Sequence, residues 1–139
     1  YGNVSGVELK DGVYYKPFTT LEGIVEKHSG QEPFNVGEKL LNKISKKDYG
    51  TYYFKPIDSV LVNFISTLDI TNGNSGSATI NSDFDLVGLA FDGMLETIIA
   101  DYKYIPQARS ISVDSRYLLW TLEKVEGADN ILKELTIVN

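Results

Sequence analysis

Val60, Val62 and Phe64 occupy alternate positions of residues 60–66, the period-two pattern of a half-buried strand. Residues 109–113 alternate again through Ile111 and Val113. Short apolar runs at 78–80 and 86–91 flank the polar stretch 81–85, which predicts a hairpin. Residues 3–9 and 12–24 are broken by Gly and rich in Val, Tyr, Thr and Phe, so they also predict strands, with Pro17 at an edge or bend. The period then changes. Asn35 and Glu38 match an N-cap with an acid three positions on, and Val36, Leu40 and Ile44 repeat every four residues, which predicts a short helix. A second helix is predicted from Asp114 as cap, with Leu118, Leu122 and Val125 on one face and Gly127 as its stop; residues 128–135 can add a turn or two. Residues 27–34, 46–53 and 68–77 are polar connectors. Six or so short strands with a C-terminal helix describe a mainly β, barrel-type domain with a helical tail.

At 139 residues the chain has the size of one ordinary domain, and 42% hydrophobic with 23% charged residues suffices for a core. A net charge of −6 argues against nucleic acid and anionic membrane surfaces, which need a basic face. No apolar run approaches the roughly 18 residues of a bilayer span. The absence of Cys removes disulfides, thiolate nucleophiles and Cys-based zinc sites, and leaves the compartment open. A single His, His28, excludes any site that needs two imidazoles. The carboxylates are scattered without metal-ligand spacing, so no metal or other cofactor is expected.

The stretch Gly73-Asn74-Ser75-Gly76-Ser77 carries the candidate chemistry. Such a cluster between strands reads as a surface turn on turn chemistry alone. It also has what a hydroxyl nucleophile needs: a tight bend that projects Oγ, small neighbours that admit substrate, and amides that converge on a developing oxyanion. Gly73 would aim its N–H and that of Ser75 into one hole, and Gly76 leaves space beside the hydroxyl.

Residues 61–77, 86–93 and 111–120, with 12–26 upstream, together resemble the bacterial dipeptidyl-peptidases of types 7 and 11 over nearly the whole chain. The resemblance implies a serine exopeptidase that releases dipeptides from free N-termini, at the periplasm or surface of a Gram-negative bacterium. It implies a chymotrypsin-like double β-barrel with an inserted helical domain. Residues 1–139 would be a single domain, the second, nucleophile-bearing barrel; the first barrel and the helical domain lie outside the chain. A start at Tyr1 instead of Met fits this expectation of a piece of a longer protein. By the same resemblance, Ser75 is the nucleophile, and Gly73 and Ser75 supply the oxyanion amides. Asp92 pairs with the substrate's α-amine; a buried carboxylate facing an ammonium rewards a chain end. Gly93 stands where Arg in the family favours acidic side chains before the scissile bond, and Gly implies an apolar preference. Asn72, where the family has Gly, and Ala78, where it has Pro, depart from the pattern, as do Leu68 and Ser115, and none of these is a catalytic group.

The catalytic base is expected outside the chain, because His28 reads as a solvated loop residue. The chain alone would then be inactive, and a face meant for the missing part would drive self-association or leave a rearranged, loose surface. Partners are peptides with a free N-terminus and the missing N-terminal part. Two alternatives stay open: a non-catalytic barrel that binds peptide termini, and an endopeptidase of the same fold, for which Asp92 would have no ammonium to meet. Asp69, six positions before Ser75, offers a rival specificity for Lys or Arg, or is simply a turn cap. Asp83 and Asp85 read as hairpin-loop solvation. Tyr49, Tyr52, Tyr53 and Phe54 read as edge packing more than a pocket wall, and Trp120 as a core anchor. Asp101 with Arg109, and Asp114 with Arg116, are candidate ion pairs.

Overall fold

The alternating segments form strands in a computed structural model that describes residues 1–138. They are β1 (Val7–Glu8), β2 (Tyr14–Tyr15), β3 (Phe18–Thr20), β4 (Leu61–Ser66), β5 (Ala78–Ile80), β6 (Leu86–Gly93) and β7 (Ser110–Asp114). The helices are α1 (Leu21–Lys27), α2 (Glu38–Ser45), α3 (Ser115–Trp120) and α4 (Asp129–Leu132). Two compact units result: Tyr1–Thr19 with Asn63–Ser115, and Thr20–Val62 with Arg116–Asn139.

The first unit carries most of a five-stranded sheet in the order β3-β4-β7-β6-β5, and β1 and β2 form a separate ribbon. β5 and β6 are the expected antiparallel hairpin, and β7 pairs antiparallel with both β6 and β4. Among the described residues the sheet has β3 and β5 as its edges, and no pairing closes it into a barrel. Besides the large apolar Leu61, Val62 and Phe64, its buried positions include the hydroxyls of Ser66, Thr79, Ser110 and Ser112. Ser66 and Ser110 share a hydrogen bond at 2.8 Å and Thr79 and Ser112 another at 3.1 Å, so the buried hydroxyls are partnered across the strands. Arg109 threads this unit together by donating to the carbonyls of Ser5, Gly6, Pro106 and Ala108. With the guanidinium so engaged, the expected pair with Asp101 does not form; Asp101 accepts instead from the Thr71 hydroxyl at 3.4 Å.

The second unit holds the apolar core: Leu21, Ile44, Tyr49, Tyr52, Val60, Val62, Trp120 and Val125. Trp120 anchors it as expected, fully buried, with its indole N–H donating to the Asp48 carbonyl at 2.9 Å. Tyr49 and Tyr52 belong to this core, whereas Tyr53 is exposed and stacks on Tyr49, and Phe54 lies under the Arg116 guanidinium. Burial raises the Tyr49 phenol to about 12, helped by its bond to Glu22; Tyr52 rises to about 12 by burial and its bond to Glu123. Burial alone would push the Glu22 carboxyl up, but hydrogen bonds from Ser59 and Tyr49 outweigh it and hold it below the usual range. The bond from Tyr52 and then Lys124 do the same for Glu123.

Two expectations are corrected. Residues 21–24 are helical, not extended, because Leu21 and Ile24 one turn apart turn one face to the core. The helix expected from Asn35 starts at Glu38 with Gly37 as its N-cap, whose carbonyl accepts from Leu40 and Leu41. Asp114, expected as a helix cap, is the buried last residue of β7 and stands directly before α3. From Thr121 to Glu126 the last long helix winds as a π-helix before it ends at Gly127, which widens the spacing predicted for Leu118, Leu122 and Val125.

Candidate active site

Two consecutive β-turns build the loop before β5. In the first, the Asn74 N–H closes onto the Thr71 carbonyl at 3.2 Å, while the Asn74 side-chain oxygen accepts the Thr71 N–H at 2.9 Å. In the second, the Ser77 N–H closes onto the Asn74 carbonyl at 2.9 Å. Gly73 and Gly76 are the third residues of these turns, at φ +94° and +86°, values that a type II turn requires and L side chains resist. The spacing of the two glycines around Asn74 and Ser75 follows from that geometry. Gly76 N–H donates to the Ala90 carbonyl at 2.7 Å and Ala90 N–H to the Ser77 carbonyl at 2.9 Å, which ties the loop to β6.

Ser75 is exposed, and its hydroxyl donates to the Phe91 carbonyl at 3.2 Å. Among the described residues, the N–H groups of Gly73 and Ser75 donate no hydrogen bond. Two undonated amides beside an exposed hydroxyl are what acyl transfer uses to hold an oxyanion. Phe91 owes its place to a bulge: Ala90 pairs with Ser112 and Asp92 with Ile111, so Phe91 is an extra residue in β6. The bulge shifts the alternation of β6, and Asp92 leaves the buried face of Gly88 and Ala90.

Gly73, Ser75, Asp92 and Gly93 all line one cleft of about 510 Å³, together with Ile70, Met94 and Thr97. Asp92 is exposed, not buried as the resemblance led us to expect, and its Oδ1 accepts the Gly93 N–H at 2.8 Å. The other carboxylates stand apart from this group. Asp69 lines a neighbouring cavity of about 310 Å³ with Tyr104 and Arg109. Asp83 is exposed in the hairpin loop, where the Asn81 side chain accepts the N–H groups of Asp83 and Asp85. His28 is half-buried in the second unit, at the end of α1, where its Nδ1 accepts the Val36 N–H at 3.0 Å; it is more constrained than a solvated loop residue. Among the described residues no group of His, Asp and Glu is arranged to hold a metal ion, and no helix is long and apolar enough to cross a membrane. Sequence reasoning missed Thr97, which the bare hydroxyl in an apolar stretch did not flag.

A mainly β fold presenting a turn-mounted hydroxyl, two undonated amides and a carboxylate in one cleft has the equipment of the hydrolases that cleave acyl bonds. The chain belongs to the Peptidase S46 family, whose pattern matches residues 1–137. It is 41% identical over 160 residues to an Asp/Glu-specific dipeptidyl-peptidase of Shewanella putrefaciens, an alignment that takes in 99% of this chain and 22% of that one. It is 42% identical over 140 residues to dipeptidyl-peptidase 7 of Phocaeicola vulgatus, covering 99% of this chain and 19% of that one. The crystal structure of Porphyromonas endodontalis DPP11 in complex with the dipeptide Arg-Asp superposes with a TM-score of 0.92 at 36% identity, over 96% of this chain and 19% of that one. The chain thus spans about a fifth of the length of these relatives.

Proposed function

We propose that these residues form the nucleophile-bearing part of a serine dipeptidyl-peptidase that releases dipeptides from free N-termini. Ser75 Oγ attacks the carbonyl of the second residue, and the Gly73 and Ser75 amides receive the oxyanion. Asp92 meets the α-ammonium and so measures two residues from the chain end. The undonated amide pair beside the exposed Ser75 hydroxyl carries the reading. A hydroxyl near its ordinary pKa needs a base. The Ser75 proton is held by the Phe91 carbonyl, and the imidazole of His28 is engaged by Val36, so the base comes from outside these 139 residues. The chain alone is then inactive, and the barrel is completed and the catalytic unit assembled only with the rest of the protein.

Relatives named for Asp/Glu specificity and relatives named dipeptidyl-peptidase 7 are about equally similar, so overall likeness does not choose the substrate. Gly93 supports an apolar residue before the scissile bond, because it brings no cation to the cleft. The exposed Asp92 favours an exopeptidase over an endopeptidase, since a carboxylate at the cleft mouth has a use only if an ammonium arrives there. Action at the periplasm or cell surface of a Gram-negative bacterium rests on the family alone.

In the intact gene product, Ser75→Ala should lower turnover of dipeptide substrates about a millionfold, and N-acetylation of the substrate should abolish release. Retained dipeptide release by Ser75→Ala rejects the nucleophile assignment, and equal cleavage of free and acetylated peptides rejects the role of Asp92.

A further inference from the structure

We propose that Thr97 is a specificity-determining residue, the back wall that sets how long an apolar side chain the cleft accepts before the scissile bond. This rests on the peptidase reading of the cleft. Ile70, Gly93 and Thr97 line the same cleft as Ser75, so the side chain of the residue whose carbonyl Ser75 attacks would lodge among them. Three observations make Thr97 the wall. A Cβ built on Gly93 would overlap Thr97 Oγ1 and come within 3.0 Å of Thr97 Cβ, so Thr97 already fills the space into which a side chain at 93 would grow. The Thr97 hydroxyl donates to the Met94 carbonyl at 2.6 Å, which holds the side chain in that place and spends its proton, leaving no donor for a substrate carboxylate. Finally, Thr97 and Ile70 are the residues shared by the 510 Å³ cleft and the 310 Å³ cavity behind it, so the Thr97 side chain helps keep the two apart.

Glycine at 93 and threonine at 97 are therefore one steric choice. Removing the Thr97 side chain joins the cavity to the cleft and lengthens the space for substrate. The test uses the intact gene product and dipeptidyl substrates with Val or Phe before the scissile bond. Thr97→Gly should raise the Phe-to-Val ratio of kcat/KM about tenfold, the scale at which a pocket discriminates by a methylene or two. Thr97→Ser, which keeps the bond to Met94 and removes only the methyl, should move the ratio the same way by about threefold. Gly93→Ala should lower the melting temperature in the native background and leave it unchanged in Thr97→Gly, a coupling that requires no activity. A ratio unchanged within twofold in both Thr97 variants, with Ser75-dependent turnover intact, overturns the proposal, as does an additive thermal cycle. Turnover that survives Ser75→Ala overturns the peptidase reading instead.

Discussion

Replacing Gly73 by Ala tests the candidate oxyanion hole with little else disturbed. No atom lies within 4 Å of the position a Cβ would take, so the added methyl meets nothing and the whole effect is conformational. An L-residue held at φ +94° costs roughly 1–2 kcal/mol, a factor of about 5–30 in population. The chain can relieve this by flipping the peptide between Asn72 and residue 73, which converts the turn to type I and lets residue 73 take a negative φ. The closing bond between the Asn74 N–H and the Thr71 carbonyl survives the flip, so the loop stays folded. What changes is the direction of the residue 73 N–H, which turns away from the oxyanion. Turnover should therefore fall at least fivefold, and as far as the 10²–10³-fold typical of one missing donor, while the melting temperature moves little. Steady-state kcat on a dipeptide substrate, set beside a thermal melt, reads both. A kcat within twofold of the parent enzyme would mean that the Gly73 amide does not hold the oxyanion.

Stability should be flat in the middle of the pH range and fall at both ends. Glu22 and Glu123 are held below the ordinary carboxylate value of 4.5, so their contribution is present above that pH and is lost as pH falls through their folded-state values. Tyr49 and Tyr52, raised to about 12 from 10, contribute fully below pH 10 and lose that contribution between 10 and 12. Tyr52→Phe removes one phenol and releases Glu123, so melts across pH should show both flanks shallower; unchanged flanks reject the assignment. Trp120→Ala should cost about 3–5 kcal/mol, from a fully buried indole and its bond to Asp48, and chemical denaturation measures it. Lys39→Ala breaks a 2.9 Å ion pair with Glu126 whose side chains are more than half exposed, and should leave the melting temperature unchanged within about 2 °C. Leu95, Ile98, Ile99, Tyr102 and Tyr104 are all exposed, so the isolated chain should self-associate, and sedimentation of a concentration-independent monomer would count against this.

The sheet strands were largely legible because their periodicity is local: β4, the β5–β6 hairpin and β7 follow from alternation and turn residues alone. Helix α1 was not, since Leu21 and Ile24 lie in a Val- and Thr-rich context that favours strand, and burial of Leu21 decides the matter. Asn35 looked like a cap because its residue type and its spacing to Glu38 suit one, yet the cap is Gly37. At the candidate site, Gly73 and Ser75 stood out because a double turn demands glycine at fixed offsets. Asp92 and Gly93 came from family likeness, and no local pattern marks them. The ion pair expected between Asp101 and Arg109 failed because four backbone carbonyls compete for the guanidinium, and their convergence is a property of the fold alone.

The extra residue at Phe91 makes the length of β6 matter more than its identity at that point. Ala90 stands opposite Ser112 and Asp92 opposite Ile111, so deleting Phe91 would straighten the strand and leave Asp92 on its present side, but it would remove the kink and the carbonyl that accepts the Ser75 hydroxyl. Conversely, an exposed Phe91 offers the site only its carbonyl, so many side chains there can serve equally well. A library of this strand should accordingly tolerate substitutions at 91 and reject every single-residue deletion between Ala90 and Asp92.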